Sequence, residues 1–128
     1  MNSTEKAKKY QNKIQRVGVI GGGQLAWMMA DAAKKLGVDL IIQTPEKDDP
    51  AVSIAKDTIL AKIDDFQATA KLANICDVVT FENEFINIDE LSLLRKKNVI
   101  FRPSLSVLKP LLDKYKQLCY LRDLGLPV

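Results

Sequence analysis

Val17-Gly18-Val19-Ile20-Gly21-Gly22-Gly23-Gln24-Leu25 is the stretch on which the fold turns. Its first four residues form a β-prone run that breaks at three consecutive glycines. Beyond them, Leu25, Met28, Met29, Ala32 and Leu36 recur at helical spacing, which predicts an amphipathic helix with this apolar stripe facing the core. Gly37 is placed to end that helix as a C-cap. A strand, a glycine turn and a helix in that order open a parallel α/β sheet.

Gly21, Gly23 and Ala26 also satisfy the spacing G-x-G-x-x-G/A. Glycine lets the backbone approach an anion, and the free N–H groups of a helix start favour negative charge, so the turn is a candidate phosphate site. The competing reading is a turn used only for close packing of helix on strand. A nicotinamide dinucleotide site would further need a carboxylate about 20 residues on, at the end of the second strand. That place reads Gln43-Thr44-Pro45, and the nearest acid is Glu46.

Outward from the turn, strand and helix signals alternate. Strands are expected at 38–42, at 58–61 after a brief helical turn, at 77–81 and at 99–101. Asp64 or Asp65 can cap a helix bearing Phe66, Ala70 and Ala73. Asn87 with Glu90 resembles a capping pair for a helix bearing Ile88, Leu91 and Leu94. Ser104 can cap a short helix, and Leu111, Tyr115 and Leu118 mark a last one that closes at Gly125 and Pro127. The expectation is a doubly wound parallel sheet in three layers. If its first and fourth strands are neighbours, Glu82 and Glu84, at the carboxyl end of the fourth, face the same crevice as the glycine turn. Two positions apart on extended chain, both carboxylates would address one ligand.

The chain has 128 residues, 47% hydrophobic and 27% charged, which suits one globular domain and excludes collagen-like or disulfide-scaffold classes. Its net charge of +3 is concentrated at the start, where residues 1–16 carry five basic side chains against Glu5. A basic leader over 1–16 and one domain over 17–128 are therefore expected. From Val17 onward acids outnumber bases, so no nucleic-acid or anionic-lipid footprint is expected. No apolar run reaches membrane-spanning length and the start lacks the apolar segment of a secretory signal, which together predict a soluble cytoplasmic protein. Cys76 and Cys119 are in neither disulfide-scaffold nor zinc spacing and read as buried, reduced thiols. The absence of histidine excludes an imidazole-based triad, and no metal-ligand set can be assembled. Leu124 to Val128 read as a helix running into a following strand, as in a piece of something larger.

Four motifs occur in an order that resembles the amino-terminal, pre-ATP-grasp domain of 5-(carboxyamino)imidazole ribonucleotide synthase. They are the stretch Val17–Leu25, then Asp77-Val78-Val79-Thr80-Phe81-Glu82-Asn83-Glu84, then Arg102-Pro103-Ser104, then Asp113-Lys114 leading to Leu121–Pro127. This ATP-grasp family of purine (IMP) biosynthesis, also known as the ATPase subunit of phosphoribosylaminoimidazole carboxylase, implies a Rossmann-like fold. It implies a carbon–nitrogen ligase that uses ATP, Mg²⁺ and bicarbonate to carboxylate aminoimidazole ribonucleotide. By the same resemblance Gly22, Gly23, Gln24, Leu25, Glu82 and Glu84 would bind the ribonucleotide, and Lys114 would contact ATP where the family has arginine. Thr44 stands where the family commonly has Asp before Pro45. The central ATP-grasp and carboxy-terminal domains are not in this chain, so no catalytic residue and no bound cofactor is expected in it, and a homodimer is implied for the whole enzyme. Three alternatives remain at this point: a nicotinamide-nucleotide regulatory domain, a domain of a related ATP-grasp ligase or formate-dependent transformylase, and a docking or structural domain whose cleft has lost its ligand.

Overall fold

A computed structural model describes residues 14–128, so most of the basic leader expected over 1–16 lies outside the described residues. Four parallel strands form the sheet: β1 (Arg16–Ile20), β2 (Asp39–Thr44), β3 (Asp57–Leu60) and β4 (Val78–Phe81). Their spatial order is β3-β2-β1-β4, so β1 and β4 are neighbours, with Val17 opposite Val78 and Ile20 opposite Phe81. After β1 the chain steps first to one side and later to the other. This is the reversal of strand order beside which open α/β sheets bind ligands.

The period-two alternation of the strands sorts the core into two layers. On one face Ile20, Ile41 and Val79 pack with Leu72, Leu91, Leu94, Phe101 and Leu105. On the other, Val19, Leu40 and Ile42 pack with Ala26, Ala33 and Ala51. The first face is covered by α2 (Phe66–Ile75) and α3 (Ile88–Arg95), the second by α1 (Gln24–Leu36) and the 3-10 turn Pro50–Ser53. Gly18 admits Leu72, since a β-carbon there would lie 2.8 Å from Leu72 Cγ.

Local signals hold at most helix ends. Asp65 caps α2 by accepting from Ala68 N at 3.0 Å, and Asn87 caps α3 by accepting from Glu90 N at 3.2 Å. Gly37 adopts φ +67° after α1, its N–H bonding to the Lys34 carbonyl while Val38 N bonds to that of Ala33. Ser104 stands before α4 (Leu105–Leu108), but its hydroxyl makes no cap bond and pairs with the Ser106 hydroxyl at 3.2 Å. After a 3-10 turn at Lys109–Leu111, α5 (Lys114–Asp123) starts at Asp113, which accepts from Lys116 N. No residue of α5 is buried.

Three sequence expectations change. The stripe Leu25, Met28, Met29, Ala32, Leu36 has the right period, but only Met29 packs against the core and the rest face outward. Leu25 and Met28 are each 60% exposed and Leu36 is 76%, while Ala26 and Ala33 meet the sheet. The cause is distance: small alanines let the helix lie close on β1 and β2, and larger side chains would hold it off. The fifth strand at 99–101 is reduced to one bridge, Phe101 beside Val79, with Val79 N bonding to Ile100 O and Arg102 N to Val79 O, each at 2.9 Å. Pro103, without an N–H, follows at once and cannot extend the ladder. Finally, neither Cys76 nor Cys119 is fully buried, although both are free thiols.

Candidate functional site

The glycine turn hangs from the carboxyl end of β1 by bonds on both sides. Gly21 N donates to Gln43 O and Glu82 N donates to Ile20 O, each at 2.9 Å, so β2 and β4 grip the turn between them. Gly21 sits at φ +109°, a conformation that β-carbons disfavour, which is the conformational reason for glycine here. Gly23 is the N-cap of α1 and has no side chain to satisfy the helix start.

No side-chain hydrogen bond caps it, and the group that approaches it comes from just beyond β4. The Glu82 carboxylate lies over the turn, so that a β-carbon on Gly21 would clash with its Oε2 and one on Gly23 with its Oε1. A negative group is thereby placed beside the positive end of α1, an electrostatically favourable position. The turn and the carboxyl end of the fourth strand therefore meet, as expected, and the group they present is an acceptor. A carboxylate at this point repels a ligand phosphate and attracts hydroxyl or amine hydrogens.

The other side of the turn is closed. Thr44 packs on Gly22, where an added β-carbon would lie 2.8 Å from both its Cβ and its Oγ1. The Thr44 hydroxyl donates to the Asp49 carboxylate, and Ala51 N donates to Gly22 O at 2.9 Å. Sequence reasoning passed over Asp49 and Ala51 and gave Thr44 no mechanism, because their role follows from a loop that folds back after Pro45. The departure of Thr44 from the Asp common in the family has a physical account: its hydroxyl donates to the Asp49 carboxylate, which a second carboxylate would repel. Where a dinucleotide site would show a carboxylate, Gln43 is wholly buried and turned into the core. The nicotinamide reading loses its ribose acceptor there.

Of the residues expected to bind ligand, Gly22, Gly23 and Glu82 are brought together, and Gln24 and Leu25 follow as the exposed first turn of α1. Glu84 does not align with Glu82 as an extended pair. β4 ends at Phe81, and Asn83 Oδ1 accepts from Phe85 N at 2.8 Å, which bends the chain between and beyond the two acids. Glu84 is exposed. Lys114 opens α5 and is exposed. Its ammonium makes no ion pair among the described residues. Among the described residues no group of three or more acids and cysteines could hold a metal, so no step through Mg²⁺ is derived from this chain.

The class defined by this geometry is a parallel α/β domain whose glycine turn, beside a reversal of strand order, faces a carboxylate. The family model described as the ribonucleotide synthetase preATP-grasp domain matches residues 14–109, and the chain belongs to that family. It is 55% identical over 114 residues to the N5-carboxyaminoimidazole ribonucleotide synthase of Synechococcus elongatus, covering 89% of this chain and 29% of that one. The synthetase structure from Thermotoga maritima superposes with a TM-score of 0.81 at 34% identity, over 90% of this chain and 32% of that one. The Aspergillus clavatus synthase, solved in complex with ADP and 5-aminoimidazole ribonucleotide, gives 0.78 at 29% identity, over 90% and 31%. The chain thus spans about 30% of the length of the relatives it matches. No helix among the described residues is long and apolar enough to cross a membrane.

Proposed function

We propose that this chain is the ribonucleotide-binding domain of an N5-carboxyaminoimidazole ribonucleotide synthase acting in the cytoplasm, with the domain extending over 17–128 behind a basic leader. The observation that carries the reading is the Glu82 carboxylate seated on Gly21 and Gly23 beside the order reversal, in a chain similar over most of its length to such synthases.

In the reaction, a bicarbonate oxygen attacks the γ-phosphorus of ATP, ADP departs, and carboxyphosphate forms. The exocyclic amine of aminoimidazole ribonucleotide then attacks the carboxyl carbon, phosphate leaves, and the nitrogen gives up one proton. The part of this chain is orientation. Glu82 accepts hydrogen bonds from the ribonucleotide's hydroxyl or amine groups, the backbone of Gly22, Gly23 and Gln24 lines the same wall, and Leu25 gives an apolar edge. Glu84 reaches the ligand from the bend after β4, and Lys114 meets ATP as a point charge, without the planar fork of arginine. The ligand's phosphate points away from the turn, because Glu82 already holds the positive end of α1. Phosphoryl-transfer groups and Mg²⁺ belong to the rest of the synthase, which pairs as a homodimer, so the 128-residue chain alone binds without turnover.

Calorimetric titration of the 128-residue chain with 5-aminoimidazole ribonucleotide tests this. Saturable binding that disappears in Glu82→Ala is expected. Binding of NADH in its place, or ribonucleotide binding indifferent to Glu82→Ala, overturns the reading.

A further inference from the structure

We propose that Gln43 is a positioning residue: its buried amide locks the end of β2 from the α2 side, and the glycine turn is hung from that locked end. The inference rests on the reading of the turn as a ligand site. Gln43 is 0% exposed, yet every polar atom of its side chain is engaged. Nε2 donates to Lys62 O at 2.8 Å and Oε1 accepts from the Thr69 hydroxyl at 3.0 Å. The Asp65 carbonyl stands 3.5 Å from Nε2 and 3.2 Å from the same hydroxyl.

These partners fix the amide's orientation. Two carbonyls face the nitrogen and a hydroxyl faces the oxygen, so a flipped amide would set oxygen against oxygen. With the side chain pinned in the α2 layer, the Gln43 main chain is pinned too. Its carbonyl accepts the bond that the Gly21 N–H makes, at 2.9 Å, and Gly21 is itself the residue at φ +109°. Glycines impose no steric preference of their own, so the turn's position is decided by what it hangs from. At the place where a dinucleotide-binding sheet displays a carboxylate to a ribose, this chain carries an inward strut instead.

The test uses amide nitrogen–proton spectra of the 128-residue chain, followed by titration with 5-aminoimidazole ribonucleotide. Gln43→Met keeps the volume and removes the amide, while Thr69→Val and Thr69→Ser remove and keep the hydroxyl. Expected for Gln43→Met and Thr69→Val are displaced Gly21 and Gly22 resonances and ribonucleotide affinity weakened about tenfold, the worth of one or two lost bonds. Thr69→Ser restores both. A folded Gln43→Met with unmoved glycine resonances overturns the proposal. Should Gln43→Met fail to fold, the Thr69→Val and Thr69→Ser pair decides by the same resonances. Absence of ribonucleotide binding by the wild-type chain counts against the functional reading alone, since the resonance displacement judges Gln43 without any ligand.

Discussion

Glu82 stands against Gly23, its Oε1 filling the space a β-carbon on that glycine would need. The two residues are far apart in sequence and meet because β4 lies beside β1. Gly23 has ordinary extended geometry, so Gly23→Ala strains no backbone and only pushes away the end of a flexible side chain. The folded chain should lose on the order of 1 kcal/mol or less by urea denaturation, while ribonucleotide binding is lost. Gly23→Ala with Glu82→Ala should then be as stable as Glu82→Ala alone.

Gly21→Ala is expected to be worse than Gly23→Ala. It meets the same carboxylate and also forces a β-carbon into φ +109°, a strain of about 1–3 kcal/mol. The difference between the two in urea denaturation measures the backbone strain together with the approach to the Glu82 and Asn83 β-carbons, at 3.1 and 3.3 Å.

The outward stripe of α1 predicts an inversion of the usual mutational pattern. Met28→Gln or Leu36→Lys should change stability by no more than about 0.5 kcal/mol, because these side chains are already in solvent. Ala33→Leu, conservative by hydropathy, should cost about 1–3 kcal/mol by holding the helix off the sheet. Thermal melts of the three variants decide.

Burial first, and the neighbouring Asp77 second, push the Cys76 thiol up to about 11 against a small opposing effect of Arg16. A folded pKa above the unfolded one means that the native state holds its proton longer. The stabilisation from this residue is complete below about pH 9 and is lost as pH rises toward 11. Denaturation midpoints should fall across that window in the wild type and fall less in Cys76→Ala. Alkylation of Cys76 by iodoacetamide should likewise stay slow until the same window.

Removing the Asp65 cap in Asp65→Ala should cost about 1 kcal/mol in chemical denaturation. Asp64→Ala, beside it and without the cap bond, should cost little.

The alternation of strands and helices and the caps at Asp65, Asn87 and Gly37 were legible in sequence because each depends on neighbours within a few positions. So was the meeting of the glycine turn with Glu82, once β1 and β4 were taken as adjacent. The facing of α1 was not legible, since period reveals a stripe but not whether the sheet prefers it to the opposite alanine face. The wedge of Thr44 and the strut of Gln43 were hidden for another reason. Both depend on which way a polar side chain turns at a strand end, and only the packed partners at Gly22, Lys62 and Thr69 decide that.

Asp77 Oδ2 accepts from both Gln15 N and Arg16 N, at 2.8 and 2.9 Å, so the start of β1 is fastened by a residue some sixty positions later. The sheet order makes this a matter of time as well as space. β1 is synthesised first yet is central, and one of its edges stays open until β4 arrives. Such a chain closes its largest loop to complete its middle, which slows folding relative to a sheet built strand by strand. During that interval the exposed edge of Val17–Ile20 is open to pairing with another chain.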